Sequence, residues 1–268
     1  MPEGPEVKRT AEGLARAITN KTLTNVEVLS GRYTKETIGG IEEFRASLPI
    51  KVIGAGCHGK FIFGLCTNES FIWSTLGMTG YWNGDGGKYA RVRLDFSDGS
   101  FVHFNDMRNF GTMKFVKGKH EIVRKLKSLG PDMLAEDVSN HRFKEALMKR
   151  PKWSLAKALM KQTLVCGVGN YVKADSLWLA KLSPHRTVES LSDLEFNDLN
   201  EAIKKVMRTS YESGGATIQS YASFDDEVGE YTQQMIVYGQ THDPEGNEVT
   251  KEKTKDGRTT HWVPLVQR

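Results

Sequence analysis

Apolar residues recur first at helical spacing and then at every second position. Val7, Ala11, Leu14 and Ile18 follow the helical period, so a helix is predicted over 5–18, with Asn20 closing it. Alternation then predicts strands at 23–29, 51–55, 61–66, 70–76, 90–96, 101–105 and 112–116. Short strands separated by turn residues indicate an antiparallel sandwich or barrel.

The pattern becomes helical after Gly130-Pro131, a pair that favours a break in the chain. Helices are predicted at 141–149, 154–162, 170–181 and 193–212, and short β-like runs return around Gly257. We therefore expect an α+β chain with three parts, 1–131, 132–233 and 234–268. Neither an internal repeat nor a low-complexity tract is present.

Composition excludes several protein classes. The 268 residues are 38% hydrophobic and 26% charged, which argues against disorder. Apolar runs are too short for a membrane span, and the N-terminal residues lack the apolar core of a secretory signal, so neither is expected. The three cysteines are too few for a disulfide framework or a four-cysteine zinc site, and they favour a reducing compartment.

The net charge of +4 conceals two blocks of opposite sign. Residues 141–186 contain ten Lys or Arg and two Asp or Glu, whereas residues 187–230 contain three and ten. A basic block of this kind is typical of phosphate binding. A solvated helix face would leave the same pattern.

A glycine-rich segment, Gly54-Ala-Gly-Cys-His-Gly59-Lys60, matches a nucleotide phosphate-binding loop through its lysine. Phe61 replaces the Ser or Thr that would hold magnesium, and a strand-like run follows where a helix is required. The nucleotide interpretation therefore fails. Lys60 is either an ordinary lysine at the start of a strand or serves another chemistry.

The N-terminus, Met1-Pro2-Glu3-Gly4-Pro5-Glu6, offers a nucleophile. Removal of Met1 would leave Pro2 as a free secondary amine, whose ordinary pKa is far below that of lysine. The positive end of the following helix dipole would lower that pKa further, which suits Schiff-base chemistry. Glu3 would act as a general acid or base. The plain alternatives are a helix-entry proline and, for Glu6, a partner of the helix dipole.

Further segments complete a pattern that runs along the whole chain. They are Leu76-Gly-Met78-Thr-Gly80, Asn105-Asp-Met-Arg108-Asn-Phe110-Gly111, Gln162-Thr-Leu-Val-Cys-Gly167-Val168-Gly169-Asn170-Tyr171, Val237-Tyr238-Gly239 and Gly257-Arg258-Thr-Thr260. With the N-terminus and Lys60, these motifs resemble, in order, those of the formamidopyrimidine/endonuclease VIII (Fpg/Nei) family of DNA glycosylases. The resemblance implies a β-sandwich, a helix–two-turn–helix domain and a C-terminal finger hairpin.

The resemblance also implies roles for individual residues. Catalysis would use Pro2 and Glu3 with Glu6 nearby, and Lys60 would contact phosphate near the reaction centre. The DNA backbone would be held by Gly169, Asn170 and Arg258, and the gap left by a flipped base would be filled by Met78, Arg108 and Phe110. From the residues alone, Met78 and Phe110 would equally suit a core, Asn170 a helix N-cap, and Arg258 a solvated hairpin.

The finger departs from the family pattern of two C-x2-C pairs. Val263 and Val266 replace the second pair, and the first pair is absent from 241–246. His242 and His261 are too few to hold structural zinc, so no metal and no other cofactor are expected. Apolar packing by Trp262, Val263 and Leu265 would replace the metal. The closest resemblance is therefore to the zincless-finger Nei-like branch found in vertebrates and a giant virus. Asp175 stands where the family usually has glutamate, which affects local support contacts.

Two classes of function follow from these residues. The first is a bifunctional DNA glycosylase/AP lyase that removes oxidised pyrimidines and further-oxidised guanines from double-stranded DNA by β,δ-elimination. The second is a non-catalytic lesion-binding protein of the same fold. A monomer without membrane contact is expected, inside the cell, in a nucleus or a viral replication compartment. The resemblance also implies that the acidic stretch 218–233 lies over the base pocket.

Overall fold

The structure is a computed structural model that describes residues 2–216, 224 and 229–268. These residues form two units. The first comprises Pro2, Glu6–Lys127 and the described part of Ala216–Gly229, and the second comprises Glu3–Pro5, Ser128–Gly215 and Glu230–Arg268. Within the described ranges, no helix is long and apolar enough to cross a membrane.

The predicted first helix forms as α1, Gly4–Ile18. Val7, Leu14 and Ile18 on its apolar face are buried in the core of the first unit. Asn20 follows with a φ of 66°, a left-handed conformation typical of the residue that ends a helix.

The sheet of the first unit is antiparallel throughout. Its strands, among the described residues, are β1 (Thr22–Val28), β2 (Ile50–His58), β3 (Phe61–Cys66), β4 (Ser70–Thr75), β5 (Gly80–Asn83), β6 (Ala90–Phe96), β7 (Phe101–Asp106) and β8 (Thr112–Lys117). They pair in the order β5-β7-β6-β1-β2-β3-β4-β8, and only a short pairing around Thr22 and Lys51 joins the two halves at β1 and β2. Trp82 Nε1 on β5 donates to Ser74 Oγ on β4 at 3.2 Å, so the halves face each other. The predicted α+β chain with an N-terminal sandwich is confirmed.

Three elements of this unit escaped the sequence pattern. They are β5 and two short helices, α2 (Ile41–Ala46) and α3 (Lys119–Lys127). β5 is four residues long, and its pairing with β7 is long-range in sequence, so alternation gave no signal. In α3 the described buried apolar residue is Ile122 alone, which is too little to mark an apolar stripe.

The second unit is mainly helical. Its α-helices are α4 (Asn140–Leu147), α5 (Leu155–Leu159), α6 (Asn170–Leu179) and α7 (Asp193–Glu212). The predicted α7 is correct at both ends, and a capping box of Ser192 and Glu195 fixes its start. Helix α5 is shorter than predicted, since Gln162 instead braces the next turn: its side chain accepts from Gly167 N at 3.0 Å and donates to Val168 O at 2.9 Å.

A two-stranded hairpin follows the helices. Its strands are β9 (Thr250–Lys253) and β10 (Thr259–Trp262). The segment before it is fixed by Asp175 on α6, whose fully buried carboxylate accepts from the backbone N–H groups of Ile236, Val237 and Tyr238. Asp175, which stands where the family usually has glutamate, therefore makes local support contacts with this segment.

The two charge blocks partly neutralise each other inside the second unit. Lys144 pairs with Asp193, and Arg186 pairs with Glu195. Lys173 is completely buried. Phosphate binding, the expectation from the charge of the block, therefore does not extend to the buried Lys173. Exposed lysines and arginines of the block lie at 142, 149, 150, 152, 161 and 181.

Candidate catalytic residues and nucleic-acid interface

Glu3 is held at the N-terminus of α6. Its carboxylate is 2% exposed and accepts from the backbone N–H groups of Tyr171 at 3.0 Å and Val172 at 3.2 Å. Free N–H groups in the first turn of a helix attract anions, and here the anion is a side chain of the protein itself. The N–H groups of Tyr171 and Val172 are therefore occupied by Glu3.

Gly169 makes room for this arrangement. A Cβ atom at residue 169 would lie 2.1 Å from Glu3 Cδ. The turn at Gly167 also lies close to the N-terminal segment, because Gly4 N donates to Gly167 O at 2.8 Å. Gly167 also has a φ of 89°, a backbone conformation that residues with a side chain rarely adopt. The two glycines thus bring the N-terminal residues against the start of α6.

Pro2 and Glu6 lie on either side of this anchored turn in the sequence. Pro2 is buried and immediately precedes Glu3. Glu6 lies in the first turn of α1 with a side chain 1% exposed, and its Oε1 accepts from Ala216 N at 2.8 Å. Glu6 therefore combines the dipole position predicted for it with a long-range backbone contact.

Lys60 occupies the turn between β2 and β3. His58 pairs with Phe61, and Gly59 and Lys60 form a two-residue turn in which Gly59 has a φ of 56°. Lys60 is half-buried. Because a hairpin replaces the strand–loop–helix of a nucleotide site, the rejection of that site is confirmed.

The predicted gap-filling residues lie on two loops of the first unit. Met78 is half-buried in the loop before β5, while Arg108 and Phe110 are exposed in the loop after β7. Phe110 is 54% exposed, and the Arg108 guanidinium lies 4.8 Å from its ring centroid. This exposure removes the core interpretation of Phe110 and leaves an apolar side chain facing solvent.

Asp106 joins these two loops, and sequence reasoning missed it. Its fully buried carboxylate accepts from Thr79 Oγ1 at 2.5 Å, from Arg108 N at 3.2 Å and from Gly111 N at 2.6 Å. Its position inside the motif between Asn105 and Arg108 was the available signal. The contact with Thr79, 27 residues earlier, was not visible in the sequence.

Asn170 connects α6 with the hairpin. The N-cap of α6 is Gly169, so the N-cap interpretation of Asn170 is wrong. Asn170 Nδ2 instead donates to the backbone oxygen of Thr259 at 2.9 Å. Among the described residues, no donor reaches its Oδ1. The side chain thus ties the start of α6 to the first residue of β10.

Arg258 lies at the tip of the same hairpin. It is exposed and follows Gly257, whose φ is 79°. Its backbone is fixed on both sides: Arg258 N donates to Asp256 Oδ1 at 3.3 Å, and Arg258 O accepts from Thr254 N at 3.0 Å. The guanidinium is therefore presented from an ordered turn.

The finger does not fit a zinc ion. Val263 is fully buried against Ala174, Val237 and Val249, with Val266 packed on this cluster. Groups of three or more potential metal ligands do not occur in the described part of the chain. The predicted apolar packing needs a correction, however, because Leu265 is 75% exposed.

The hairpin also has a polar anchor. Asp243 accepts from Asn247 N at 2.8 Å, from Glu245 N at 3.0 Å and from Trp178 Nε1 at 3.1 Å. Although desolvation opposes it, these hydrogen bonds hold the pKa of Asp243 below its ordinary value. The acidic residues expected over the base pocket, Asp225, Asp226 and Glu227, lie outside the described residues.

Sequence profiles of known families match nearly the whole chain. Residues 1–113 match the formamidopyrimidine-DNA glycosylase N-terminal domain, residues 129–222 the H2TH domain of that enzyme, and residues 226–268 its C-terminal domain. A formamidopyrimidine-DNA glycosylase of Shouchella clausii is 33% identical, covering 100% of this chain and 99% of the relative.

Solved structures give the same result. A Lactococcus lactis Fpg mutant in complex with Fapy-dG-containing DNA has a TM-score of 0.88 at 26% identity and covers 100% of both chains. The wild-type Lactococcus lactis protein in complex with DNA that contains an oxidized pyrimidine has a TM-score of 0.86 at 26% identity, again covering 100% of both chains.

Proposed function

The chain belongs to the formamidopyrimidine-DNA glycosylase family and is a DNA glycosylase acting on damaged DNA, and from this we propose that it is a bifunctional glycosylase/AP lyase of base excision repair. The observation that carries the proposal is the anchoring of Glu3. This carboxylate is buried, bound by two backbone N–H groups and directly follows Pro2 in the chain. A protein that only binds lesions needs neither residue.

In the proposed reaction, the neutral amine of Pro2 attacks C1′ of the damaged nucleotide. A bond forms between nitrogen and C1′ while the base departs with its bonding electrons and takes a proton from solvent. The amine nitrogen then loses its proton to Glu3, and Glu3 returns that proton to O4′ as the nitrogen lone pair forms the iminium and the C1′–O4′ bond breaks, which opens the sugar ring. The resulting iminium accepts electrons when a C2′ proton is removed, which expels the 3′-phosphate. A second elimination expels the 5′-phosphate and leaves phosphates at both ends of the nick.

The remaining residues would hold the DNA. We assign Asn170 and Arg258 to the backbone phosphates, and Lys60 to a phosphate near the reaction centre. Gly169 would contribute by allowing the close approach at the start of α6. Met78 and Phe110 would fill the gap left by the flipped base, and Arg108 would hydrogen-bond the unpaired partner base. The exposure of Phe110 supports this role.

We further propose that the chain is of the zincless-finger, Nei-like type. Burial of Val263 in an apolar cluster supports a finger without metal. The relatives compared above are formamidopyrimidine-DNA glycosylases, so the assignment to the Nei-like branch rests on the finger alone. The three parts proposed for the chain remain 1–131, 132–233 and 234–268, acting as a monomer.

The proposed lesions are oxidised pyrimidines, including thymine glycol and 5-hydroxyuracil, and further-oxidised guanines. One structural neighbour was solved with an oxidized pyrimidine in its DNA and another with Fapy-dG, so the fold accommodates both kinds of base. Excision from a panel of single-lesion duplexes tests the choice. Efficient removal of 8-oxoguanine, with poor removal of thymine glycol, would contradict it.

Borohydride trapping tests the chemistry itself. The protein, free of any N-terminal tag that would acylate Pro2, is incubated with an abasic-site duplex and reduced. We expect a covalent complex that is absent when an N-terminal tag acylates the Pro2 amine and that persists in Pro5→Ala, which retains that amine. Absence of a complex with the parent protein, together with retained binding to lesion duplexes, would support the alternative of a non-catalytic lesion-binding protein.

A further inference from the structure

Lys173 on α6 is a fully buried lysine. Its Nζ donates to Asp256 Oδ2 and to Thr260 Oγ1, both at 2.7 Å. The Lys173 side chain is 0% exposed and that of Asp256 is 2% exposed. Asp256 and Thr260 belong to the hairpin, so the ion pair joins the hairpin to α6.

Burial makes this pair costly unless both charges are well satisfied. Desolvation lowers the pKa of Lys173, and Asp256 opposes that change. Although desolvation also acts to raise it, the pKa of Asp256 stays below its ordinary value because Lys173 and Thr254 donate to the carboxylate. Each group therefore stabilises the charged form of the other, and Thr254 closes the network by bonding Thr260 at 2.6 Å.

The same groups determine the backbone on both sides of Arg258. Asp256 Oδ1 accepts from Arg258 N, and Thr254 N donates to Arg258 O. Gly257 N also donates to Thr254 O at 2.8 Å. Asp256 thus uses one carboxylate oxygen for Lys173 and the other for the turn that presents Arg258.

Asn170 enters the same arrangement from α6. Residues three apart lie on one face of a helix, so Asn170 and Lys173 both face the hairpin. Asn170 Nδ2 binds the oxygen of Thr259, the residue between Arg258 and Thr260. Two side chains of α6 therefore contact three hairpin residues, Asp256, Thr259 and Thr260.

We propose that the buried Lys173–Asp256 pair is a positioning device that holds Arg258 and Asn170 in register to bind the DNA backbone together. This inference rests on the phosphate-binding roles proposed above for Arg258 and Asn170. Lys173 and Asp256 are positioning residues, since their buried side chains act through Arg258 and need not touch the substrate.

Asp256→Asn provides the decisive test because electrostatics and positioning predict opposite results. The substitution adds one unit of positive charge to the hairpin, which by general electrostatics would tighten binding to DNA. Loss of the ion pair would instead disorder the Arg258 turn. The ligand is a duplex containing a tetrahydrofuran abasic analogue. We expect the Kd to rise about tenfold, as for Arg258→Ala. The slope of log Kd against log salt concentration should also fall, by the amount that corresponds to about one lost phosphate contact.

Three further variants separate positioning from general loss of structure. Glu245→Gln makes the same charge change on an exposed finger residue and should leave the Kd unchanged or slightly lower. Thr260→Val removes one acceptor of Lys173 without changing shape and should give an intermediate Kd. The double variant Arg258→Ala/Asp256→Asn should bind as Arg258→Ala does, because a positioning effect vanishes once its target is gone.

The outcomes distinguish failure of this inference from failure of the proposed function. If Arg258→Ala weakens binding while Asp256→Asn and Thr260→Val bind like the parent, the positioning role is wrong and the phosphate role stands. If the effects of the two single substitutions on Kd add in the double variant, the Lys173–Asp256 pair is merely structural. If Arg258→Ala itself changes neither Kd nor salt slope, both the phosphate role and the inference built on it are wrong.

Discussion

A methyl group at Gly169 would lie 2.1 Å from Cδ of Glu3. The start of α6 and the proposed catalytic carboxylate therefore occupy adjoining space, and residue 169 controls where that carboxylate lies. Because Glu3 binds the two N–H groups that follow Asn170, a displacement would break both hydrogen bonds. The N-terminus of α6 thus fixes the position of the proposed acid–base group.

We accordingly expect Gly169→Ala to lower base excision and borohydride trapping by roughly 100-fold, since a shift of about 1 Å in a reacting group has effects of this size. The measurement is single-turnover excision at saturating protein. Gly87→Ala is the matched control, because nothing lies within 4 Å of a Cβ at that position. Unimpaired excision by a folded Gly169→Ala protein would show that Glu3 need not occupy this position.

Asp106 yields a second prediction, which concerns opening of the duplex at the lesion rather than the bond-breaking reaction. Replacing its carboxylate by alanine removes the acceptor shared by the loops of Met78 and Phe110. We expect Asp106→Ala to bind undamaged duplex normally but to open lesion-containing duplex about tenfold less well, as fits the loss of a charged hydrogen-bond acceptor. Fluorescence of 2-aminopurine opposite the lesion reports the opening. The exposed Asp85→Ala is the control, and equal behaviour of both variants would refute the role of Asp106.

Local periodicity was sufficient to predict α1, α7 and most of the sandwich, because each depends on a repeated apolar pattern along a short segment. The residues that position the site residues could not be identified from local periodicity, because their partners lie far away along the chain. Lys173 meets partners 83 and 87 residues away, and Asp106 meets Thr79 across 27 residues. In the sequence, Lys173 is one more basic residue of the charged block. Pairing with Asp256 and complete burial distinguish it in the fold.

The finger core gives a third prediction. Val263 is fully buried with Val237 and Val249, whereas Leu265 is 75% exposed. Val263→Ala should therefore lower the free energy of unfolding by about 2 kcal/mol, the cost of removing two buried methyl groups. Leu265→Ala should change it by less than about 0.5 kcal/mol. Urea unfolding measures both, and similar losses in the two variants would contradict the packing described here.

Removal of metal provides a fourth prediction. Since apolar contacts fill the finger where the family pattern has cysteines, a chelator should leave excision activity and melting temperature unchanged. Mass spectrometry of the purified protein should find no stoichiometric zinc. A relative that has both cysteine pairs, treated in parallel, controls for the strength of chelation. Release of zinc from this protein with loss of activity would overturn the zincless assignment.

Glu195 at the start of α7 yields a pH dependence. The hydrogen bond from Arg186, reinforced by Ser192, lowers the pKa of Glu195 from 4.5 to about 2. Because the folded pKa lies below the unfolded one, folding favours the ionised carboxylate, and the resulting stability is present above pH 4.5 and lost as the pH falls toward about 2. We therefore expect Glu195→Gln to be less stable than the parent at neutral pH by at most about 1 kcal/mol, as for the loss of a partly exposed ion pair, since glutamine can keep the capping box, and the difference to shrink on acidification. Urea unfolding between neutral pH and pH 3 measures it, with the exposed Glu189→Gln as control. A difference that persists or grows toward acid pH would mean that the Arg186–Glu195 contact does not stabilise the charged carboxylate.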